Sequence, residues 1–262
     1  MNLKGICLYF GYGLKIGEAE RLIKESGFDT IITCRDENFN YQNGPLSKQI
    51  KLCKKNGLKL SSLHMKYYGM PLEDFWKEGK SGDDIELSLK KDIKLAHKYG
   101  FSCVVVHTVG EMSQVGLDRF ARLLALCEKL GVPMALENIG NYKLLTDIFG
   151  TIKSDYLKFC FDIGHQNVFD KDKDALAAFG DKLICLHLHS NMGEEDEHTL
   201  NKYGNIDWDA FAKRLAQLNP NIVLDYEILM HTRHCEKPEE VLSEVYKQAC
   251  ELEEKIAKYA QK

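Results

Sequence analysis

Residues 183–190 read LICLHLHS, an apolar run that takes up His187 and His189 just as it ends. Side chains alternate between the faces of a strand, so Cys185, His187 and His189 share one side and Leu186 and Leu188 the other. The chain therefore aims two imidazoles the same way where a strand enters a loop. Working outward, the same kind of run recurs. GICLYF (5–10), DTIITC (29–34), LKLSSLHM (58–65), SCVVVHT (102–108), PMALENI (133–139), LKFCFDIGH (157–165) and NIVLDYEIL (221–229) are short, apolar and strand-like. Between them, stretches near residues 17–26, 46–56, 83–99, 115–130, 141–150, 173–180 and 207–218, and a last one at 238–259, have helical spacing. Gly27, Gly57, Gly100 and Gly131 stand where helices should stop, since glycine accepts the left-handed conformation there. Asp83 and Asp207 are the expected N-caps.

Eight strands, each followed by a helix, with no composition break or linker in 262 residues, predict one (β/α)8 TIM barrel of the α/β class spanning residues 1–262. A doubly wound open sheet would need a glycine-rich phosphate turn, and YFGYGLKIG (9–17) matches GxGxxG poorly.

Composition sets further bounds. With 44% apolar and 28% charged residues, a net charge of −4 and a pI near 6.2, the chain has no basic field to advertise nucleic acid or an anionic membrane. No apolar stretch reaches the length of about 18 residues that a bilayer requires. The opening MNLKGICLYFGYG lacks the apolar core of a signal peptide, so a cytoplasmic protein is expected. The nine cysteines form no CxxC pair, and Cys7, Cys34, Cys103, Cys160 and Cys185 sit inside apolar runs. Reduced, buried thiols are expected, rather than disulfides or a thiolate metal site.

In a TIM barrel, chemistry belongs at the C-terminal ends of the strands. There the third strand ends at His64 and the fourth at His107. Glu137 closes the fifth, Asp162 and His165 the sixth, His187 and His189 the seventh, and Glu227 the eighth; Asp196 and His198 follow in EEDEHTL (194–200). Imidazole and carboxylate donors without thiolate suit Zn, Mn, Fe or Co. Carboxylates crowded at one mouth repel one another unless a cation neutralises them. One histidine at a strand end is ordinarily structural, and His97, on the third long helix, is read that way. Repetition on six successive strands is what predicts a metal site. His231 and His234 are rim candidates, and Asp225 shares the parity of Glu227 one layer deeper.

In this order and spacing the motifs resemble the xylose isomerase-like barrel superfamily, which holds sugar and sugar phosphate isomerases and epimerases together with endonuclease IV. GEAERLIKESGFDTI (17–31) is similar to that family's first helix leading into strand 2. LENIG (136–140), FDIGHQN (161–167), HLHSN (187–191), DEH (196–198), GNID (204–207) and the strand-8 glutamate follow, so the likeness runs along the whole chain.

The epimerase branch implies one divalent ion, Zn or Mn, on Glu137, Asp162, His187 and Glu227. Glu137 and Glu227 would also be the acid/base pair, and His165 would contact substrate oxygens. His189, one pleat further out than the ligand His187, would reach substrate or a neighbouring carboxylate. The endonuclease branch implies up to three zinc ions on His64, His107, Glu137, Asp162, His165, His187, Asp196, His198 and Glu227, with abasic DNA as substrate. FDIGHQN matches the sugar-enzyme form, whereas Ser190 replaces an aspartate common in both branches.

The expected activity is therefore metal-dependent sugar (or sugar phosphate) isomerisation or epimerisation, by proton transfer through a metal-stabilised enediolate. Phosphodiester cleavage at abasic DNA is the alternative. A sugar-binding barrel without turnover is disfavoured by the presence of both glutamates. The segment HMKYYGMPLEDFWKEGK (64–80) carries Lys66, Tyr67, Tyr68, Phe75, Trp76, Lys77 and Lys80. It reads as a lid over a sugar, with Lys66 on the substrate, or under the alternative as a wedge into DNA. The expected partner is a small sugar, with nucleic acid only under the alternative, and no membrane. Barrels of this kind often pair or form tetramers, so a homo-oligomer is also an expectation.

Overall fold

The computed structural model describes residues 2–35, 44–218, 221–229 and 237–260. Its parallel strands are β1 Lys4–Cys7, β2 Thr30–Cys34, β3 Lys59–His64, β4 Cys103–Val106, β5 Met134–Glu137, β6 Leu157–Asp162, β7 Leu183–His187 and β8 Leu224–Tyr226. They pair in the order β7-β6-β5-β4-β3-β2-β1-β8. The ring closes between its outer members: Leu188 N donates to Asp225 O and Glu227 N to Leu188 O, both at 2.9 Å. The fold is the expected TIM barrel. Its closing seam runs beside His187, His189 and Glu227 and fixes their relative height.

Alternation sorts the side chains into two layers. Leu136, Phe159, Phe161, Leu186 and Leu188 point outward into the main core beneath the helices. Cys103, Val105, Ala135, Cys160 and Cys185 point inward and form a separate small cluster inside the barrel. A register shift on β3, between the pairs Ile31↔Leu60 and Thr33↔Leu63, adds a residue there. That bulge lets Ser61 face the interior while His64, three residues on, still reaches the mouth.

The helices are α1 Glu18–Glu25, α2 Leu46–Lys55, α3 Lys80–Tyr99, α4 Gln114–Leu130, α5 Tyr142–Thr151, α6 Ile163–Phe169, α7 Ala175–Phe179, α8 Trp208–Leu218 and α9 Pro238–Ala260. Gly100 and Gly131 stop α3 and α4 with φ of 82° and 68°, and Asp207 Oδ1 accepts from Asp209 N and Ala210 N to start α8. Among the strand and helix boundaries, three expectations need correction. Asp83 is not an N-cap, because α3 begins at Lys80 and Asp83 pairs instead with Arg119 at 2.8 Å. The sixth strand stops at Asp162, whose Oδ1 accepts from His165 N (2.7 Å) and opens α6, so His165 lies on a helical first turn. The expected 173–180 helix shrinks to α7 plus a 3-10 turn at Gly180–Lys182, with Asp174 capping Ala177 N.

At Phe75 and Trp76 the 64–80 segment is not the lid or wedge expected of it, whereas the Tyr67 ring packs on His64 and His107 at the mouth, with centroids 4.9 and 4.4 Å away. A 3-10 turn at Leu72–Trp76 carries Phe75 and Trp76 into the core, each 4% exposed. Arg119 donates to Phe75 O (2.6 Å) and Lys77 O (2.7 Å) from beneath, and the Trp76 ring fills the space where a Cβ on Gly116 would stand. Burying two adjacent aromatic side chains outweighs presenting them to solvent. Only Tyr68 is left as an exposed large aromatic on that segment, at 59%. The described cysteines carry no disulfide, and all but Cys250 are buried, while Cys235 lies outside the described residues. Among the described residues no helix is long and apolar enough to cross a membrane.

Candidate metal centre

Glu137 ends β5, Asp162 ends β6, His187 ends β7 and Glu227 follows β8, so all four are inward positions at one mouth. Each is buried, and their nearest ligand atoms all lie within 4.8 Å of one another. Glu137 Oε1 is 2.8 Å and Glu227 Oε2 is 3.0 Å from His187 Nδ1. Tyr9 Oη donates to Glu227 Oε1 at 2.7 Å. On the other side Glu137 Oε2 faces His107 Nε2 (3.0 Å) and His64 Nε2 (3.3 Å). Burial works against charge on Glu137 and Glu227, but His187 and the other imidazoles outweigh it and hold both carboxyls well below the usual range.

Backbone carbonyls set the tautomers. His64 Nδ1 lies 3.0 Å from Met65 O, His165 Nδ1 3.0 Å from Asn138 O, and His198 Nδ1 2.8 Å from Glu227 O. A carbonyl only accepts, so each Nδ1 carries a proton and a neutral ring turns its Nε2 lone pair to the mouth. There Nε2 of His165 and of His198 meets Asp196 Oδ2 at 3.2 and 3.1 Å. Lone pair against carboxylate is repulsive unless a proton or a cation lies between. Burial disfavours protonation of these rings, yet the surrounding carboxylates, Asp162 and Asp196 for His165 and Asp196 for His198, raise them to about 10 and about 9. The donors fit a divalent ion: oxygen and imidazole only, preset lone pairs, and excess negative charge.

His189 lies beyond β7 and is fully buried, with Nε2 3.0 Å from Asp162 Oδ1. Its ring stacks on His198 at 3.8 Å, and His165, His189, Asp196 and His198 make a second group with ligand atoms within 4.8 Å. Gly164 makes room for it, since a Cβ there would stand 1.9 Å from His189 Cε1.

The family model of the xylose isomerase-like TIM barrel matches residues 9–250. The chain belongs to the xylose isomerase-like TIM barrel family. A relative from Sinorhizobium fredii, "Uncharacterized protein y4fM", is 28% identical over 248 residues, covering 80% of this chain and 79% of its own. Among solved structures, a D-tagatose 3-epimerase-like protein superposes with a TM-score of 0.77 at 18% identity, covering 98% of this chain and 99% of that one. The IOLI protein, solved with a bound zinc atom, gives 0.76 at 18% identity, covering 99% of each. At these identities the likeness is one of fold.

Within this family barrel the structure gathers the predicted residues unequally. His64, His107, Glu137, Asp162, His165, His187, His189, Asp196, His198 and Glu227 converge. Lys66 is half-buried beside the mouth, and its amide donates to Asp92. His97 is away from it, with Nδ1 2.8 Å from Leu130 O, as a structural residue would be. His231 and His234 lie outside the described residues. Asp225 sits inside the barrel, accepting from Thr30 Oγ1 (3.1 Å) and Ser61 Oγ, and a Cβ on Gly5 would collide with it. Sequence reading overlooks Tyr9, Gly164 and Asn138. The Asn138 side chain donates to Asp162 O and accepts from Asp162 N, both at 2.8 Å. Asparagine and glycine carry no charge to flag them, so only three-dimensional contacts reveal them.

Proposed function

We propose that the protein is a divalent-metal-dependent isomerase or epimerase acting on a sugar or sugar phosphate. The observation that carries this reading is the buried convergence of Glu137, Asp162, His187 and Glu227 within 4.8 Å, with the two glutamates flanking one imidazole. These four would hold the ion, zinc or manganese, and a bound ion supplies the Lewis acidity that eases proton loss beside a carbonyl. One of Glu137 and Glu227 takes the proton from the carbon next to the substrate carbonyl, and the other returns a proton from the opposite face. Inversion needs both faces served, and turnover in reverse exchanges the roles. His187 and Tyr9 keep the Glu227 carboxylate oriented and ionised. His165 and Lys66 would meet substrate hydroxyls or phosphate at the rim. Purified protein loaded with Zn or Mn and given a panel of ketoses, inososes and their phosphates tests the reading. Exchange of a substrate C–H proton with solvent is expected, and its absence across the panel with metal bound overturns it.

A second reading, a phosphodiesterase acting at abasic DNA, is favoured by one observation. His64 and His107 on Glu137 Oε2, and the His165, His189, Asp196 and His198 group, offer donors for more than one ion. Burial of Phe75 and Trp76 takes away the wedge it would use. Metal content per chain and nicking of abasic duplex separate the two.

A further inference from the structure

Directly beneath the carboxylates, three thiols meet inside the barrel. Cys160 and Cys185 are register partners on β6 and β7, and Cys103 of β4 packs against them in the same buried cluster. His187 forms the roof. Its ring uses Nδ1 on Glu137 and Glu227 and leaves Nε2, fully buried, with only the Cys160 and Cys185 sulfurs to meet among the described residues. The imidazole and the Cys160 and Cys185 sulfurs lie within 4.8 Å of one another. Small thiols can fill a barrel as apolar groups do. That role leaves a buried imidazole nitrogen facing nothing but sulfur, a weak partner, whereas buried polar atoms are ordinarily well satisfied.

We propose that Cys160, Cys185 and Nε2 of His187 form a second cation site, inside the barrel, that takes a thiophilic divalent ion such as zinc or cadmium. The donor types differ from those of the mouth. Thiolate selects soft ions, whereas carboxylate and imidazole serve the harder ones. Charge also balances: two thiolates and a neutral imidazole offset a divalent ion while Nδ1 keeps its proton toward Glu137 and Glu227. With a further ion on Nδ1 at the mouth, His187 bridges the two as imidazolate and releases that proton as well. Binding releases two thiol protons to solvent, leaving the oxidation states of sulfur and metal unchanged. Cys103, in the same cluster and hydrogen-bonded to Cys185, could add its neutral thiol as a fourth donor. Scanning for CxxC misses this arrangement, because the cysteines are neighbours across strands and not along the chain. The site goes beyond the proposed activity and rests on no substrate.

The thiols are sealed beneath His187, so loading is tested by refolding. The full chain is unfolded under reductant and refolded with Cd(II), then desalted. A thiolate-to-cadmium charge-transfer absorption of the strength of one thiolate-bound cadmium per chain is expected, apart from any cadmium held by the carboxylates at the mouth. The Cys160→Ala/Cys185→Ala double variant should lose that band at least ten-fold while still binding Mn(II) at the mouth, which also shows that it folds. Cys127→Ala, which removes a buried thiol on α4, should keep it. Refolded wild-type protein without the band overturns the proposal, whatever the double variant does. So does a band that survives in the double variant, or a thiol count showing Cys160 and Cys185 joined as a disulfide.

Discussion

Glu137 and Glu227 come from different strands, yet each brings a carboxylate oxygen to Nδ1 of His187, at 2.8 and 3.0 Å. The two differ in their second oxygen. That of Glu137 faces His64 and His107, whereas that of Glu227 accepts the Tyr9 hydroxyl. A pair held at one nitrogen but braced by different partners is what the proposed pair of proton transfers would call on.

Replacing Glu227 with Gln should lower kcat by about 10²-fold or more, the scale of general acid/base catalysis. Tyr9→Phe removes only the brace, so a smaller loss in kcat with metal affinity nearly unchanged is expected. Steady-state kinetics beside a metal titration separates the two. A Glu227→Gln enzyme with wild-type turnover would remove it from the acid/base pair.

The barrel and its donors are legible in the sequence because both rest on strong local signals. Period-2 apolar runs alternate with helical spacing, and charged or imidazole residues interrupt those runs at their C-terminal ends. His165 reads as part of a strand because FCFDIGH continues the apolar pattern, and the Asp162 cap that ends the strand is a local hydrogen bond with no apolar signature. Phe75 and Trp76 read as lid residues because nothing nearby in sequence announces Gly116 and Arg119, which receive them across the fold. Asn138 and Gly164 act by shape and backbone contacts, which composition does not encode.

Gly164→Ala tests that shape argument. The new methyl would stand 1.9 Å from His189 Cε1, so the ring must leave Asp162. Overpacking of this kind should destabilise by about 1–3 kcal/mol. Loss of a contact that orients a metal ligand should weaken divalent binding by about 10- to 100-fold. Calorimetric metal titration and thermal unfolding report both, and unchanged metal affinity would show that His189 does not hold Asp162 in place.

Trp76→Ala should behave as a core deletion, costing about 3–5 kcal/mol in denaturant unfolding. Tyr68→Ala, on the exposed part of the same segment, should stay within about 0.5 kcal/mol. A moving lid would give the reverse ranking in effect: little loss of stability at Trp76 and a large change in KM.

Asp225 makes stability depend on pH. Burial raises its carboxyl from the ordinary 3.8 to about 7, against the Ser61 and Thr30 hydroxyls that hydrogen bond to it. The folded state therefore binds this proton more tightly than the unfolded chain does. The resulting stabilisation is full below the unfolded value and disappears as pH rises through about 7. A rise of that size corresponds to on the order of 4 kcal/mol. Asp225→Asn keeps a neutral, hydrogen-bonding side chain of the same size, so the variant should flatten the decline between about pH 4 and 7 and gain relative stability at neutral pH. Urea unfolding at several pH values measures the difference. If wild type and variant run parallel across that range, Asp225 is ionised throughout, and Ser61 and Thr30, not burial, set its charge.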